Sequence, residues 1–270
     1  MTDKYAVLGN PISHSKSPLI HRMFAEQTGQ DISYEAIEAP LDGFAAKIEE
    51  LRAKGYKGCN VTVPFKVEAF NLANQLSQKS LEAEAVNTLK FEGDAIIGDN
   101  TDGAGLVRDI EQNLGIPLKG KRILLIGAGG AAQGVLHPIL ATEPKQLVIS
   151  NRTPDKALAL KKSVKNDVVS VEAVGFGELD NAQFDVIINA TSAGLTDSEI
   201  PIPSTIFAPG ALAYDMMYGR ETPFMAFARQ HGARVADGLG MLVEQAAEAF
   251  CLWRRVRPET KPVRDRLRLS

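Results

Sequence analysis

The run Lys121-Arg122-Ile123-Leu124-Leu125-Ile126-Gly127-Ala128-Gly129-Gly130-Ala131-Ala132 constrains this chain more than any other stretch. Two basic residues lead into four apolar ones, then a glycine-rich turn, then residues that suit a helix. A strand feeding a helix through such a turn opens a dinucleotide-binding unit. Gly127 permits the tight turn. Gly129 lets the backbone approach a pyrophosphate, and Ala132 takes the third small position, where helix packs on strand. The N–H groups at the helix start then face the phosphates. The same pattern also occurs as a plain turn between strand and helix. The strand before it and the helix after it favour nucleotide binding.

The next strand tip bears on which nucleotide. Val148-Ile149-Ser150 reads as the second strand of the unit. An NAD site places a carboxylate about 20 residues after the glycines, where it accepts from the ribose hydroxyls. This chain has Asn151-Arg152-Thr153 there, with Lys156 one helical turn on. Asp155 comes later, at the start of the next helix. A guanidinium pairs with a 2′-phosphate through two parallel hydrogen bonds. Solvated loop charges have the same composition. Their coincidence with the strand tip favours NADP over NAD.

A chain of 270 residues makes one large or two medium domains. Its 44% hydrophobic and 23% charged content is that of an ordinary globular protein with a sizeable core. The net charge of −3 gives no argument for a nucleic-acid partner. The segment from Arg254 to Arg268 holds seven Lys or Arg against Glu259 and Asp265, and reads as a basic surface tail. Only Cys59 and Cys251 occur, too few for a disulfide framework, which fits a reducing compartment. Neither a signal peptide nor a membrane span is read, so the expected location is cytoplasmic. No metal site is expected.

Strand and helix signals alternate along the chain. Tyr5 to Gly9 reads as a strand. A helix to about Gly29 follows, with Ser17 at the cap and Pro18 at the first position. Ile32 to Ile37 reads as a strand, Asp42 to Ala53 as a helix, and Gly58 to Val63 as a strand stopped by Pro64. Ala85 to Phe91 and Ala95 to Gly98 form a hairpin around Gly93-Asp94, and a helix follows Asp102-Gly103 to about Gly115. After Lys121 come strand, helix, strand and helix, then strands at Val171–Val174, Phe184–Asn189 and Ala211–Met216. A last long helix spans about Met241 to Arg255. The expected class is α/β, with parallel sheet covered by helices.

Asn60-Val61-Thr62-Val63-Pro64-Phe65-Lys66 supplies a lysine outside the nucleotide unit. Lys66 follows a strand end, and Asp102 follows a second strand-like segment. Reducing a ketone needs hydride at carbon and a proton at oxygen. A lysine and a carboxylate within reach of one hydroxyl orient it and move its proton. A surface lysine and a helix-capping aspartate are the plainer reading of the pair. Ser15 and Ser17, alternating in extended chain, project to one side, and two hydroxyls near a helix N-terminus suit a carboxylate. Helix capping explains one of these serines equally well. A cofactor unit and a separate lysine-bearing domain imply a two-domain dehydrogenase, with its reaction in the cleft between them.

Gly9-Asn10-Pro11-Ile12-Ser13-His14-Ser15-Lys16-Ser17-Pro18 resembles the N-terminal signature of the shikimate dehydrogenases. So do Asn60 to Lys66, Ala85-Val86-Asn87-Thr88, and Gly98-Asp99-Asn100-Thr101-Asp102-Gly103. In the cofactor half, Gly127 to Ala132, Asn151-Arg152-Thr153, Asn189 to Gly194, Tyr214-Asp215-Met216-Met217-Tyr218 and Asp237 to Ala246 are similar to the family in the same order. The resemblance implies a reversible, NADP(H)-dependent reduction of 3-dehydroshikimate to shikimate in aromatic amino-acid biosynthesis. It implies a mixed α/β substrate domain, 1–104 plus 238–270, and a Rossmann-like NADP domain with parallel sheet, 105–237. Lys66 and Asp102 are the implied catalytic residues. Ser15, Ser17 and Tyr218 would bind the substrate carboxylate. Thr62, Asn87, Asp102 and Gln245 would hold the ring hydroxyls. Gly127, Ala128, Gly129, Gly130 and Ala131 would meet the pyrophosphate, and Asn151, Arg152, Thr153 and Lys156 the adenosine phosphate. Met216 and Gly240 would lie near the nicotinamide, and Gln78 takes a further cofactor position. The implied partner is a small molecule, with no nucleic acid or membrane, in a monomer or homodimer. A quinate/shikimate dehydrogenase of broader substrate and cofactor use is the close alternative. A scaffold that lost turnover is disfavoured by Lys66 and Asp102, and another two-domain NADP enzyme by the serines and Tyr218.

Overall fold

A computed structural model describes residues 2–164, 168–180 and 182–269. The chain divides into two compact units, Met1–Gly105 with Leu242–Ser270, and Leu106–Met241.

In chain order the first unit begins with β1 (Asp3–Gly9), α1 (Ser17–Thr28), β2 (Ile32–Glu38), α2 (Phe44–Ala53) and β3 (Tyr56–Val61). It continues with α3 (Lys66–Leu72), β4 (Gln75–Leu76), α4 (Gln78–Ala83), β5 (Thr88–Glu92), β6 (Ala95–Asp99) and the start of α5 (Asp102–Arg108). The second unit holds a π-helical turn at Asp109–Asn113, then β7 (Arg122–Ile126), α6 (Gly130–Leu140), β8 (Gln146–Asn151), α7 (Pro154–Lys162) and β9 (Ser170–Gly175). After these come β10 (Phe184–Asn189), β11 (Phe207–Asp215), α8 (Pro223–Gln230) and β12 (Arg234–Ala236). Helix α9 (Leu239–Arg254) and helix α10 (Lys261–Arg268) close the chain.

The first sheet has the order β2-β1-β3-β5-β6-β4. Strands β1, β2 and β3 pair in parallel, whereas β5 runs antiparallel to both β3 and β6. Side-chain alternation sends Ala6 and Leu8 of β1 to one face, with Phe44, Ile48, Leu51 and Phe65. Tyr5 goes to the other face, where it stacks on Trp253 of α9 at 4.6 Å.

The second sheet, β12-β11-β10-β7-β8-β9, is parallel throughout. Its central strands β7, β8 and β10 are near-continuous apolar runs because both faces are covered. Ile123 and Leu125 of β7 enter one core with Ala132, Val135 and Ile139 of α6. Leu124 and Ile126 enter a separate core with Phe224 and Met225 of α8. From β7 the chain moves outward to β8 and β9, then crosses to β10 on the other side of β7. That reversal is a topological switch point, and such sheets bind ligands at the carboxyl ends of the strands there.

Several expected elements are corrected. Helix α1 is capped at Lys16, so Ser17 is its first residue and Pro18 its second. The Ser17 N–H donates to Ser15 Oγ at 3.3 Å, which satisfies an amide of the first turn from two residues back. Residues 13–14 turn, and Ser15 N–H donates to Ile12 O at 3.0 Å, so the serines do not alternate in extended chain. Strand β3 ends at Val61 because Phe65 N–H turns back to Thr62 O at 3.0 Å. Helix α2 starts at Phe44, behind Gly43 as its cap. Helix α5 passes into the π-helical turn, closed by Leu114 N–H on Asp109 O at 2.9 Å. The basic C-terminal segment is no tail: α10 buries Val263 and Leu267, four residues apart on one face, and packs on α1. Helices α3, α4 and α8 and strands β4 and β12 carry no signal that the sequence reading used. Among the described residues, no helix is long and apolar enough to cross a membrane.

Candidate functional site

In the first unit, four sequence-predicted residues converge. Lys66 is the first residue of α3, and the turn from Thr62 delivers it. Thr62 N–H donates to Leu8 O at 2.9 Å, and Phe65 is buried against Phe44 with ring centroids 5.0 Å apart. The residue before the lysine is thus anchored in the core, while the lysine side chain keeps 30% of its surface exposed. Its Nζ donates to Asp102 Oδ2 at 2.5 Å. Asp102 opens α5, and its N–H donates to Asn100 Oδ1 at 3.1 Å. The other carboxylate oxygen accepts from Asn87 Nδ2 at 2.8 Å. Asn87 is 3% exposed, and its Oδ1 accepts Thr101 N–H at 2.9 Å. Gln245, on α9, takes Thr101 Oγ1 as donor at 3.3 Å. An ammonium, a carboxylate and two carboxamides therefore meet at one partly open place. Such a set grips a hydroxyl and moves a proton to or from oxygen.

Further residues of this unit support that cluster. Asn60 on β3 is 6% exposed and donates to Asn87 O at 3.2 Å and to Thr88 Oγ1 at 3.0 Å. Tyr34 on β2 donates to Asn60 Oδ1 at 2.7 Å. Ser17 is buried and Ser15 half-buried, at the N-terminal end of α1. His14 is exposed. Gln78, on the exposed first turn of α4, donates to Glu82 Oε1 at 2.9 Å. Nothing in the sequence singles out Tyr34, whose partner Asn60 lies on another strand, and the motif that contains Thr101 assigns it no role, because its partners are Asn87 ahead of β5 and Gln245 on α9.

In the second unit the switch point falls where the glycine motif sits. Asn189 pairs with Ile126 across β10 and β7, and Ala190 N–H donates to Ile126 O at 2.8 Å. Gly127 follows with φ +113°, and a Cβ there would stand 3.0 Å from Ala190 O. Only glycine combines that backbone with that approach. A Cβ at Gly129 or Gly130 would meet nothing within 4 Å, so the backbone at the start of α6 is open to a ligand. Ala132 is fully buried in the core of α6 against the sheet.

At the tip of β8, Asn151 Nδ2 donates to Thr153 O at 3.0 Å and shapes the turn. Arg152 and Lys156 are exposed and make no ion pair among the described residues. Two unpaired cations at this tip, with Asp155 inside α7, fit a phosphate better than a ribose diol.

A buried carboxylate organises the other strand ends. Asp215 is fully buried and accepts from Thr222 Oγ1 at 2.5 Å, Met217 N–H at 3.0 Å and Asn189 Nδ2 at 3.1 Å. Burial raises its pKa, and these three donors hold it down in part. Met216 N–H donates to Asn189 O at 3.0 Å, so the Met216–Met217 segment is tied to both strands. Tyr218 is half-buried, and desolvation raises the pKa of its phenol, which stays a donor at neutral pH. Gly240, near the start of α9, leaves no room for a Cβ beside Asp109, whose carboxylate accepts from Tyr214 OH at 2.8 Å.

Comparison with known proteins places the two units in turn. Residues 7–89 match the shikimate dehydrogenase substrate binding domain, residues 109–196 the shikimate / quinate 5-dehydrogenase family, and residues 238–268 the shikimate 5′-dehydrogenase C-terminal domain. The chain is 61% identical, over 99% of its length and 100% of the relative's, to shikimate dehydrogenase (NADP(+)) of Methylobacillus flagellatus. A crystal structure of an Ael1 enzyme from Pseudomonas putida is 49% identical, with a TM-score of 0.94 and 98% of each chain covered. Shikimate 5-dehydrogenase from Thermus thermophilus, solved in complex with NADP(H) and shikimate, is 32% identical, with a TM-score of 0.88 and 99% of each chain covered.

Proposed function

Because this chain belongs to the shikimate dehydrogenase family, we propose that it catalyses the reversible, NADPH-dependent reduction of 3-dehydroshikimate to shikimate. The observation that carries the mechanism is the Lys66–Asp102 contact of 2.5 Å, braced by Asn87. When bound, NADPH supplies the hydride that adds to the ketone carbon. The Lys66 ammonium donates a proton to the ketone oxygen as the alcohol forms, and takes it back in the reverse direction. Asp102 holds Lys66 and a neighbouring ring hydroxyl in line. Thr62, Asn87 and Gln245 orient the remaining ring hydroxyls.

Ser15, Ser17 and Tyr218 take the substrate carboxylate. Support for this is the buried serine hydroxyl at the start of α1 and the phenol that burial keeps protonated. The unit carrying Lys66 is the substrate domain, and the unit carrying the glycine turn is the NADP domain. Gly127 to Ala131 hold the pyrophosphate. Asn151, Arg152, Thr153 and Lys156 take the adenosine 2′-phosphate, and Met216 and Gly240 border the nicotinamide.

The direct test is NADP+ reduction, followed by nicotinamide absorbance, with shikimate, then with quinate, then with NAD+ in place of NADP+. Shikimate with NADP+ is expected to give the highest kcat/KM. Faster turnover of quinate would assign the chain to the broader quinate/shikimate activity instead. No turnover of either acid would overturn the reading.

A further inference from the structure

We propose that Tyr34 is a positioning residue for this reaction: its hydroxyl holds the buried Asn60 carboxamide, which supports Asn87 and Asp102, and so sets the place of Lys66. The proposal rests on the functional reading above.

The ring of Tyr34 is fixed before its hydroxyl acts. Tyr34 pairs with Tyr5 across β2 and β1. It stacks on the buried His21 ring of α1, with centroids 4.1 Å apart and planes 7° from parallel. Trp253 of α9 tilts against it at 6.3 Å. The hydroxyl is thereby aimed at one place. It donates to Asn60 Oδ1 at 2.7 Å.

From there the chain of hydrogen bonds is short. Asn60 Nδ2 donates to Asn87 O at 3.2 Å, Asn87 Nδ2 donates to Asp102 Oδ1 at 2.8 Å, and Lys66 Nζ meets Asp102 Oδ2 at 2.5 Å. Asn60 is buried with both ends of its carboxamide engaged inside the unit. Its amide orientation is therefore set by partners within the fold. Without the Tyr34 O–H, Asn60 Oδ1 loses its donor in a buried place, and an unsatisfied buried acceptor turns or draws in water. Asn87 rests on Asn60, and Asp102 rests on Asn87.

Tyr34→Phe keeps the ring and its stack on His21 and removes only the hydroxyl. The expected result is a loss of about tenfold in kcat/KM for shikimate, with the KM for NADP+ unchanged within about twofold. Tyr34→Phe added to Asn60→Ala should cost nothing beyond Asn60→Ala alone, since both break the same link. A purely structural phenol would lower the unfolding midpoint and leave kcat/KM alone, and that outcome overturns the proposal. Losses that multiply in the double variant also overturn it. An active wild type with an unaltered Tyr34→Phe enzyme sinks the positioning role only. A wild type inert towards shikimate sinks the functional reading and this proposal with it.

Discussion

Lys66 and His21 lie in the same unit and are handled in opposite ways. Lys66 keeps part of its surface open and is held by a carboxylate that is itself held by an amide. Proton transfer by a placed group contributes about a hundred- to ten-thousandfold to rate. Lys66→Ala is expected to lower kcat by that order while the KM for shikimate stays within several-fold, the mark of lost transition-state stabilisation. Near-normal kcat in this variant would remove the lysine from the mechanism. His21, by contrast, is fully buried among Tyr34, Phe24, Phe250 and Trp253, and neither ring nitrogen makes a well-formed hydrogen bond. Burial lowers its pKa from 6.5 to about 3, with the Asn60 side chain offsetting only part of the shift. Between those values the unfolded chain binds a proton at this residue and the folded chain does not. The stability of the neutral ring is thus fully present above pH 6.5 and falls as the pH drops towards 3. Two pH units below the unfolded value, the loss relative to the high-pH plateau amounts to about 3 kcal/mol. Urea unfolding at a series of pH values should show wild type losing that much more than His21→Phe between pH 8.5 and 4.5. Parallel pH profiles would show that His21 titrates normally in the fold.

At the scale of elements, the strand ends of the second sheet are the proposed cofactor site. Gly127 joins β7 to α6 in a backbone conformation that side chains avoid, hard against Ala190 O. Gly127→Ala should destabilise the chain by about 1–3 kcal/mol and weaken NADP+ further than the stability loss accounts for. Urea midpoints and a fluorescence titration with NADPH read the two effects separately, and an alanine variant with wild-type values for both would refute the close approach. On the proposed function, the tip of β8 discriminates between nucleotides. Arg152→Ala removes a guanidinium that no carboxylate among the described residues neutralises, and should raise the KM for NADP+ about ten- to a hundredfold while leaving NAD+ nearly unaffected. Equal losses for both nucleotides would show that Arg152 serves the loop and not the 2′-phosphate. Elements also account for what sequence reading left out. Helices α3, α4 and α8 are short, between six and eight residues, and draw their stability from packing, not from a long periodic face. The basic composition of α10 hid two apolar residues, Val263 and Leu267, that are enough to dock it.

The whole molecule divides its labour between two compact units with separate cores. Each ligand should therefore stabilise its own unit first, because a ligand adds stability only where it binds the folded state. Hydrogen exchange followed by mass spectrometry tests this. Saturating shikimate should give its strongest protection around residues 15–17 and 60–66, and saturating NADP+ around 127–131 and 152–156. Strongest protection by shikimate in the glycine turn, or by NADP+ around Lys66, would overturn the assignment of substrate and cofactor to these units.

What the sequence determined by itself was local. The glycine turn, the buried Ala132, the cations at the tip of β8 and the hairpin of β5 and β6 each depend on residues a few positions apart. Sterics, turn geometry and side-chain alternation act at that range, so the residue string carries them. Ser17 was misplaced even locally, as a cap, because Ser15 supplies the acceptor for the first amide of α1. Only the tertiary structure decided that Lys66 meets Asp102, that Asn87 braces the pair, and that Tyr34 reaches Asn60. Those contacts join residues 15 to 36 positions apart. They exist because β3 has β1 on one side and β5 on the other, and strand order is a property of the assembled sheet, not of any one segment.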